Sequence, residues 1–210
     1  MIRVLIADDH AILRRGLAGI ISETGDMQVC GEAENGAQAV RFVREHPVDV
    51  VLLDITMPDR NGLDTLKQMK KEKPKLAVLM LSMHPEEIYA LRAIRAGAFG
   101  YLNKASAPAL LVAAIRQVAG GRRYITPAVA EVLAGTLADD SGRPPHNTLS
   151  NREYETMRLI ASGKTLTGIA VEMSLSVKTV SVYRARLLQK MSLKNNSELT
   201  HYALKNNLVD

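Results

Sequence analysis

The chain has 210 residues, 47% hydrophobic and 23% charged, with a formal net charge of +5. That composition excludes wholesale disorder, a collagen and a low-complexity repeat, and the length suits two small domains better than one. No run of about 18 apolar residues occurs, so no membrane span is expected. Asp8 and Asp9 come too soon after Met1 for a signal peptide. The single cysteine, Cys30, cannot form an internal disulfide; it fits a reducing cytoplasm and reads as a small buried apolar residue. Charge is unevenly placed: residues 1–125 carry net +3, 126–146 net −2 and 147–210 net +4.

Residues 1–120 alternate two patterns and form the first predicted domain. Ile2–Ala7, Val29–Ala33, Val48–Leu53, Leu76–Leu81 and Phe99–Leu102 are short β-rich or apolar runs. Between them lie helical spacings such as Ile12, Gly16, Leu17, Ile20, Ile21, stopped by Gly25, and Ala37, Val40, Phe42, Val43, ending at His46-Pro47. Five strands alternating with about five helices predict an α/β fold, a five-stranded parallel sheet covered on both faces. Residues 121–147 break the rhythm as a linker. Thr126 can cap a helix opened by Pro127 and running to about Leu137, before the turn-rich run 138–145. Residues 148–210 read as all-α, with helices near Asn151–Ala161, Leu166–Met173, Val177–Met191 and Ser197–Asn206. Ser150 and Glu153 have capping-box spacing.

Ligands of a doubly wound sheet sit at the carboxyl ends of its strands. Asp8-Asp9 follow the first strand and Asp54 the third; Ser82 follows the fourth and Lys104 the fifth. Carboxylates brought together repel, so a bound cation is expected, and oxygen ligands suit Mg²⁺. An Asp at a buried strand end can also attack a phosphoryl group, and a hydroxyl and an ammonium would stabilise that group. Singly, an acidic pair is more often a cap, a serine a turn residue and a lysine a solvated charge; the joint placement is the specific signal.

In the tail, Leu166–Met191 has a helix-turn-helix layout. Ile169, Ala170, Val171 and Met173 face inward on the first helix, Ser174-Leu175-Ser176 makes the turn, and Ser176 caps the second helix. There Val177, Val180, Leu187, Leu188 and Met191 are expected to pack inward, opposite Lys178, Ser181, Val182, Ala185 and Gln189. Residues 176–194 hold five bases and no acid, the footprint of phosphate contact. Lys178, Ser181 and Val182 are candidates for base edges, and Thr179, Arg184, Arg186 and Lys190 for phosphates. A plain amphipathic helix with a solvated basic face accounts for the same wheel.

Val4–Asp9, Asp54-Ile-Thr-Met-Pro58 with Gly62, and Gly97–Lys104 resemble the receiver of two-component response regulators of the NarL/FixJ (LuxR-type) family. Leu149–Glu155, Leu159–Thr165, Ile169-Ala170 and Val177–Val180 resemble that family's DNA-binding domain. The resemblance implies a flavodoxin-like receiver phosphorylated on Asp54 by a sensor histidine kinase. Asp9, Asp54 and the Thr56 carbonyl would hold Mg²⁺ with Asp8 assisting; Ser82 and Lys104 would bind the phosphoryl oxygens, and Tyr101 would be the switch aromatic. It further implies a cytoplasmic transcription regulator rather than an enzyme, a homodimer when phosphorylated, and promoter DNA as partner. Departures are Ala105 where many receivers have Pro, Leu166-Thr167-Gly168 where Asn and Glu are usual, Tyr183 for a frequent His and Asn196 for a common Arg. Gly168 within a helix would cost about 1 kcal/mol relative to Ala.

Rival readings come from other classes. A haloacid-dehalogenase-like phosphohydrolase would need an Asp where Thr56 stands. A protein-interaction switch without DNA binding fits the acid-free stretch poorly. A flavin carrier lacks a phosphate loop after the first strand.

Overall fold

The computed structural model describes residues 1–57, 61–83, 86–138 and 144–209. Pro58 of the acidic motif, Pro85 and residues 139–143 of the predicted linker lie outside them. Two compact units appear, Met1–Leu137 and Ala138–Asp210.

The first unit is the expected α/β alternation: β1 (Ile2–Ala7), α1 (Ala11–Ser22), β2 (Met27–Ala33), α2 (Gly36–Glu45), β3 (Val50–Asp54), α3 (Gly62–Glu72), β4 (Ala77–Ser82), α4 (Glu86–Arg95), β5 (Gly100–Asn103), α5 (Pro108–Ala119) and α6 (Pro127–Ala138). The strands are parallel in the order β2-β1-β3-β4-β5. Strands β3 and β4 are buried along their whole length, which is why they read as unbroken apolar runs. Two strand starts shift by two residues, each for a local reason. Strand β2 starts at Met27 because Met27 pairs with Ile2. Strand β3 starts at Val50, since Asp49 is taken up by Arg3, whose backbone N–H and guanidinium both donate to its carboxylate.

Segment 121–126 packs on the sheet edge. The Tyr124 N–H donates to the Phe99 carbonyl at 2.8 Å, and Gly100 leaves room for this, since a Cβ there would lie 2.8 Å from the Tyr124 oxygen. Thr126 caps α6 through the Val129 N–H at 3.3 Å and donates its hydroxyl to Glu86 on α4. Val129 is buried.

The second unit is helical: a 3₁₀ turn (Pro145–Thr148), α7 (Asn151–Ala161), α8 (Leu166–Glu172), α9 (Val177–Lys190) and α10 (Asn196–Lys205). Ser150 and Glu153 form the capping box. Thr165, Ser176 and Asn195 cap the next three helices. Gly168 lies within α8 as expected, in its first turn, with its N–H bonded to the Thr165 hydroxyl.

Candidate functional site

Four elements converge at the carboxyl edge of the sheet. Strand β1 delivers Asp8, β3 delivers Asp54, β4 delivers Ser82, and the turn after β5 delivers Lys104. Asp8, Asp54 and Ser82 are buried, and the Lys104 side chain is only 5% exposed. Its ammonium stands 2.6 Å from Asp8 Oδ2 and 2.9 Å from Asp54 Oδ2. The Lys104 N–H donates to the Ser82 carbonyl at 2.8 Å, which ties the β5 turn to the end of β4. The structure thus brings Asp8, Asp9, Asp54, Ser82 and Lys104 to one edge. Thr56 is exposed just beyond Asp54, and its backbone N–H donates to the Asp54 carboxylate.

Burial pushes the Asp54 carboxyl up to about 6; Lys104 pulls it down, and the charge of Asp8 pushes it up again. One ammonium faces two buried carboxylates, so negative charge is left over. Asp8 Oδ2 and Asp54 Oδ2 have no aligned hydrogen-bond donor; the lysine contact is a close charge pairing. Ligand atoms of Asp8, Asp9, His10 and Asp54 lie within 4.8 Å of one another. That donor set fits a divalent cation, which would offset the surplus charge.

Tyr101 on β5 is buried, with 1% exposure. No cis peptide occurs among the described residues.

Two residues at this edge went unnoticed in the sequence. His10 joins the acidic group through Nδ1. Arg14 is buried and donates to the Asp8 carbonyl at 2.8 Å, to Glu32 at 2.9 Å and to Glu34 at 2.7 Å. The signal for Arg14 was its spacing, since it shares the buried stripe of α1 with Leu17 and Ile21. A charged residue on an apolar stripe needs buried partners.

In the second unit, α8 and α9 flank a turn in which Ser174 takes the left-handed conformation, φ +53°. Lys178, Ser181, Val182, Ala185, Arg186 and Gln189 are exposed on α9. Two apolar expectations are corrected. Val177 is 43% exposed, because as the first residue of α9 it precedes the packed turn that begins at Val180. Val171 is 77% exposed, because the buried stripe of α8 runs through Ile169, Ala170 and Met173.

Three candidate phosphate contacts already have partners. Thr179 bonds Ser176 within the cap. Arg184 Nε donates to Asn196 Oδ1 at 2.7 Å. The Lys190 ammonium donates to Glu153 at 2.7 Å and so ties α9 to the start of α7. Burial opposes the Glu153 charge, but the bonds from Lys190 and Ser150 outweigh it and hold the carboxyl below its ordinary value. A depressed carboxyl contributes stability above its unfolded value, about pH 4.3, and loses it as pH falls through the folded value. Acid titration of the protein, followed by helical circular dichroism, is therefore expected to lose stability of the second unit below about pH 4.3. Glu153→Gln should flatten that loss; an unchanged acid profile contradicts the role of this pair.

The family profile of the response regulator receiver domain matches residues 4–116. That of the bacterial regulatory proteins, luxR family, matches residues 147–203. Over 211 residues the chain is 36% identical to response regulator UvrY of Escherichia coli K12, covering 100% of this chain and 97% of UvrY. It is 34% identical to response regulator GacA of Pseudomonas aeruginosa over 211 residues, covering 100% of this chain and 99% of GacA. A LuxR-family two-component response regulator from Aurantimonas sp. SI85-9A1 superposes with a TM-score of 0.60 at 34% identity, over 65% of this chain and 97% of that one. RcsB from Salmonella enterica serovar Typhimurium, bound to promoter rprA with the phosphomimetic BeF3-, gives 0.65 at 25% identity, over 96% and 97% of the two chains. Agreement that runs the full length, with a receiver in front and a LuxR-type domain behind, makes the chain a two-component response regulator of the NarL/FixJ type.

Proposed function

We infer that this response regulator takes a phosphoryl group on Asp54 from a sensor histidine kinase and in that state binds promoter DNA as a homodimer in the cytoplasm. Residues 1–120 act as receiver, 121–147 as linker and 148–210 as DNA reader. It acts as a regulator rather than a turnover enzyme. The observation that carries the reading is Asp54, buried at a strand end against Lys104 and beside Asp8.

With its carboxyl pushed up to about 6, Asp54 is still mostly ionised at neutral pH. One of its oxygens forms the new O–P bond while the P–N bond of the phosphohistidine breaks, its electron pair returning to the imidazole. Asp8, Asp9, Asp54 and the Thr56 carbonyl are the groups to hold Mg²⁺, which when bound neutralises charge on the transferring oxygens. Lys104 pairs with the acquired charge and Ser82 donates its hydroxyl. Phosphorylation adds about 1.5–2 negative charges, biasing Ser82 and Tyr101 toward one arrangement of the α4–β5 face. Segment 121–126 touches that face through Tyr124 and Thr126, which supports a linker that senses the change.

On α9, Lys178, Ser181 and Val182 are assigned to base edges, and Thr179, Arg184, Arg186 and Lys190 to phosphates. Arg184 would reach its phosphate from its bond to Asn196, and Lys190 with a hand already on Glu153. Two dimerised copies would read a two-fold site. A salt series of DNA binding tests the assignment. Arg186→Ala should weaken binding and reduce the salt slope by about one per copy. Lys190→Ala should cost the second unit about 1 kcal/mol of stability through the lost charged hydrogen bond, with a smaller change in slope. An unchanged slope for Arg186→Ala overturns its phosphate contact.

A further inference from the structure

His10 follows the acidic pair at the N-cap position of α1, yet its side chain makes no capping hydrogen bond. The ring turns instead to the carboxylates. Nδ1 lies 2.9 Å from Asp9 Oδ1 and 3.2 Å from Asp8 Oδ1. The turn holds it there, because the His10 N–H donates to Asp8 Oδ1 at 2.8 Å and Arg14 clamps the Asp8 carbonyl at 2.8 Å. These are hydrogen-bond and ion-pair separations, and they equal the spacing of about 3 Å between neighbouring ligands of an octahedral ion with bonds of about 2.1 Å. The Asp54 carboxylate belongs to the same group. The His10 side chain is 67% exposed, so the pocket is open to solvent on the imidazole side.

We propose that His10 is a direct nitrogen ligand, making the acidic pocket a mixed nitrogen–oxygen site that prefers a borderline first-row cation such as Mn²⁺ over Mg²⁺. The proposal rests on the cation reading of the same pocket. Imidazole is a good ligand for first-row transition ions, whereas Mg²⁺ is held by oxygens and water. A histidine that only oriented Asp8 and Asp9 would aid both ions alike. A histidine that coordinates discriminates between them.

The test uses the full chain, with Mn²⁺ and Mg²⁺ alone as probes. Pulsed electron paramagnetic resonance of bound Mn²⁺ reads directly whether a ¹⁴N nucleus is coupled to the ion. Competition titrations give both affinities for wild type, His10→Ala and His10→Gln, with metal-free melting curves to check the fold. Wild type should show the ¹⁴N coupling. Both variants should lose it, with a fall in Mn²⁺ affinity of about tenfold or more, the scale seen even for loss of an outer partner, while Mg²⁺ affinity stays unchanged. Bound Mn²⁺ without nitrogen coupling in the wild type overturns the proposal, whether or not the variants fold. So does an equal loss of both ions in the variants. Failure of either ion to bind the wild type overturns the cation reading of the pocket as well.

Discussion

Asp54→Asn is expected to abolish phosphoryl uptake while leaving the fold intact. An amide nitrogen does not replace the carboxylate as a nucleophile. Asp8 sits on the neighbouring strand, its other oxygen already engaged by the N–H of His10. Stability should not suffer, because burial and the charge of Asp8 both disfavour the ionised Asp54. A neutral isostere removes that repulsion, and Lys104 keeps Asp8 at 2.6 Å. Intact mass after incubation with acetyl phosphate and Mg²⁺ reads uptake; a melting curve reads the fold. Wild type should gain the mass of one phosphoryl group and the Asp54→Asn variant none, with a melting temperature equal to or above that of wild type. Full uptake by the variant would remove Asp54 from the mechanism.

Gly62→Ala is the second large effect, and its cause is steric. The Gly62 N–H donates to the Ile55 carbonyl at 2.8 Å, which draws the start of α3 down onto the end of β3. A Cβ at this position would stand 1.9 Å from the Asp54 carbonyl oxygen and 2.8 Å from the Ile55 Cα. Both are backbone atoms, so no rotamer change relieves the overlap. The start of α3 must lift off the end of β3, carrying with it the buried Asn61 cap, whose side chain accepts from the Leu63 N–H at 2.9 Å. A cost of about 3 kcal/mol is expected, or a fall of about 10 °C in melting temperature, together with slowed phosphoryl uptake. Gly168→Ala is the control. There the added Cβ meets only the Thr165 hydroxyl at 3.4 Å, and the helix should gain up to about 1 kcal/mol. A melt of Gly62→Ala within two or three degrees of wild type, a shift of under about 1 kcal/mol, would contradict the close approach of Gly62 to the backbone of Asp54 and Ile55.

The sheet was readable because buried parallel strands are written as continuous apolar runs, and Val50–Leu53 and Val78–Leu81 are buried throughout. The acidic edge was readable because Asp8, Asp54 and Ser82 each follow such a run directly and Lys104 follows the fifth after one residue, Asn103. What sequence reading missed depends on contacts across elements. Nothing local tells that Lys190 will meet Glu153, 37 residues away, or that Tyr124 will bridge to Gly100. Helix ends misled in the same way. Val177 and Val171 fit an apolar wheel, but a wheel has no length, and it ignores where the covering helix stops. His10 was hidden by its neighbours, since attention falls on the acidic pair before it and only the fold shows the ring facing the carboxylates.

Chemistry at Asp54 is expected to control the affinity of α9 for DNA. This control is tested most directly by selecting sites from random duplex DNA at one fixed salt, with and without Mg²⁺ and acetyl phosphate. Enrichment of a two-fold symmetric site only with the phosphodonor is the predicted result. Equal enrichment in both conditions would leave a DNA reader uncoupled from Asp54, and no enrichment in either would contradict the DNA-binding assignment of α9.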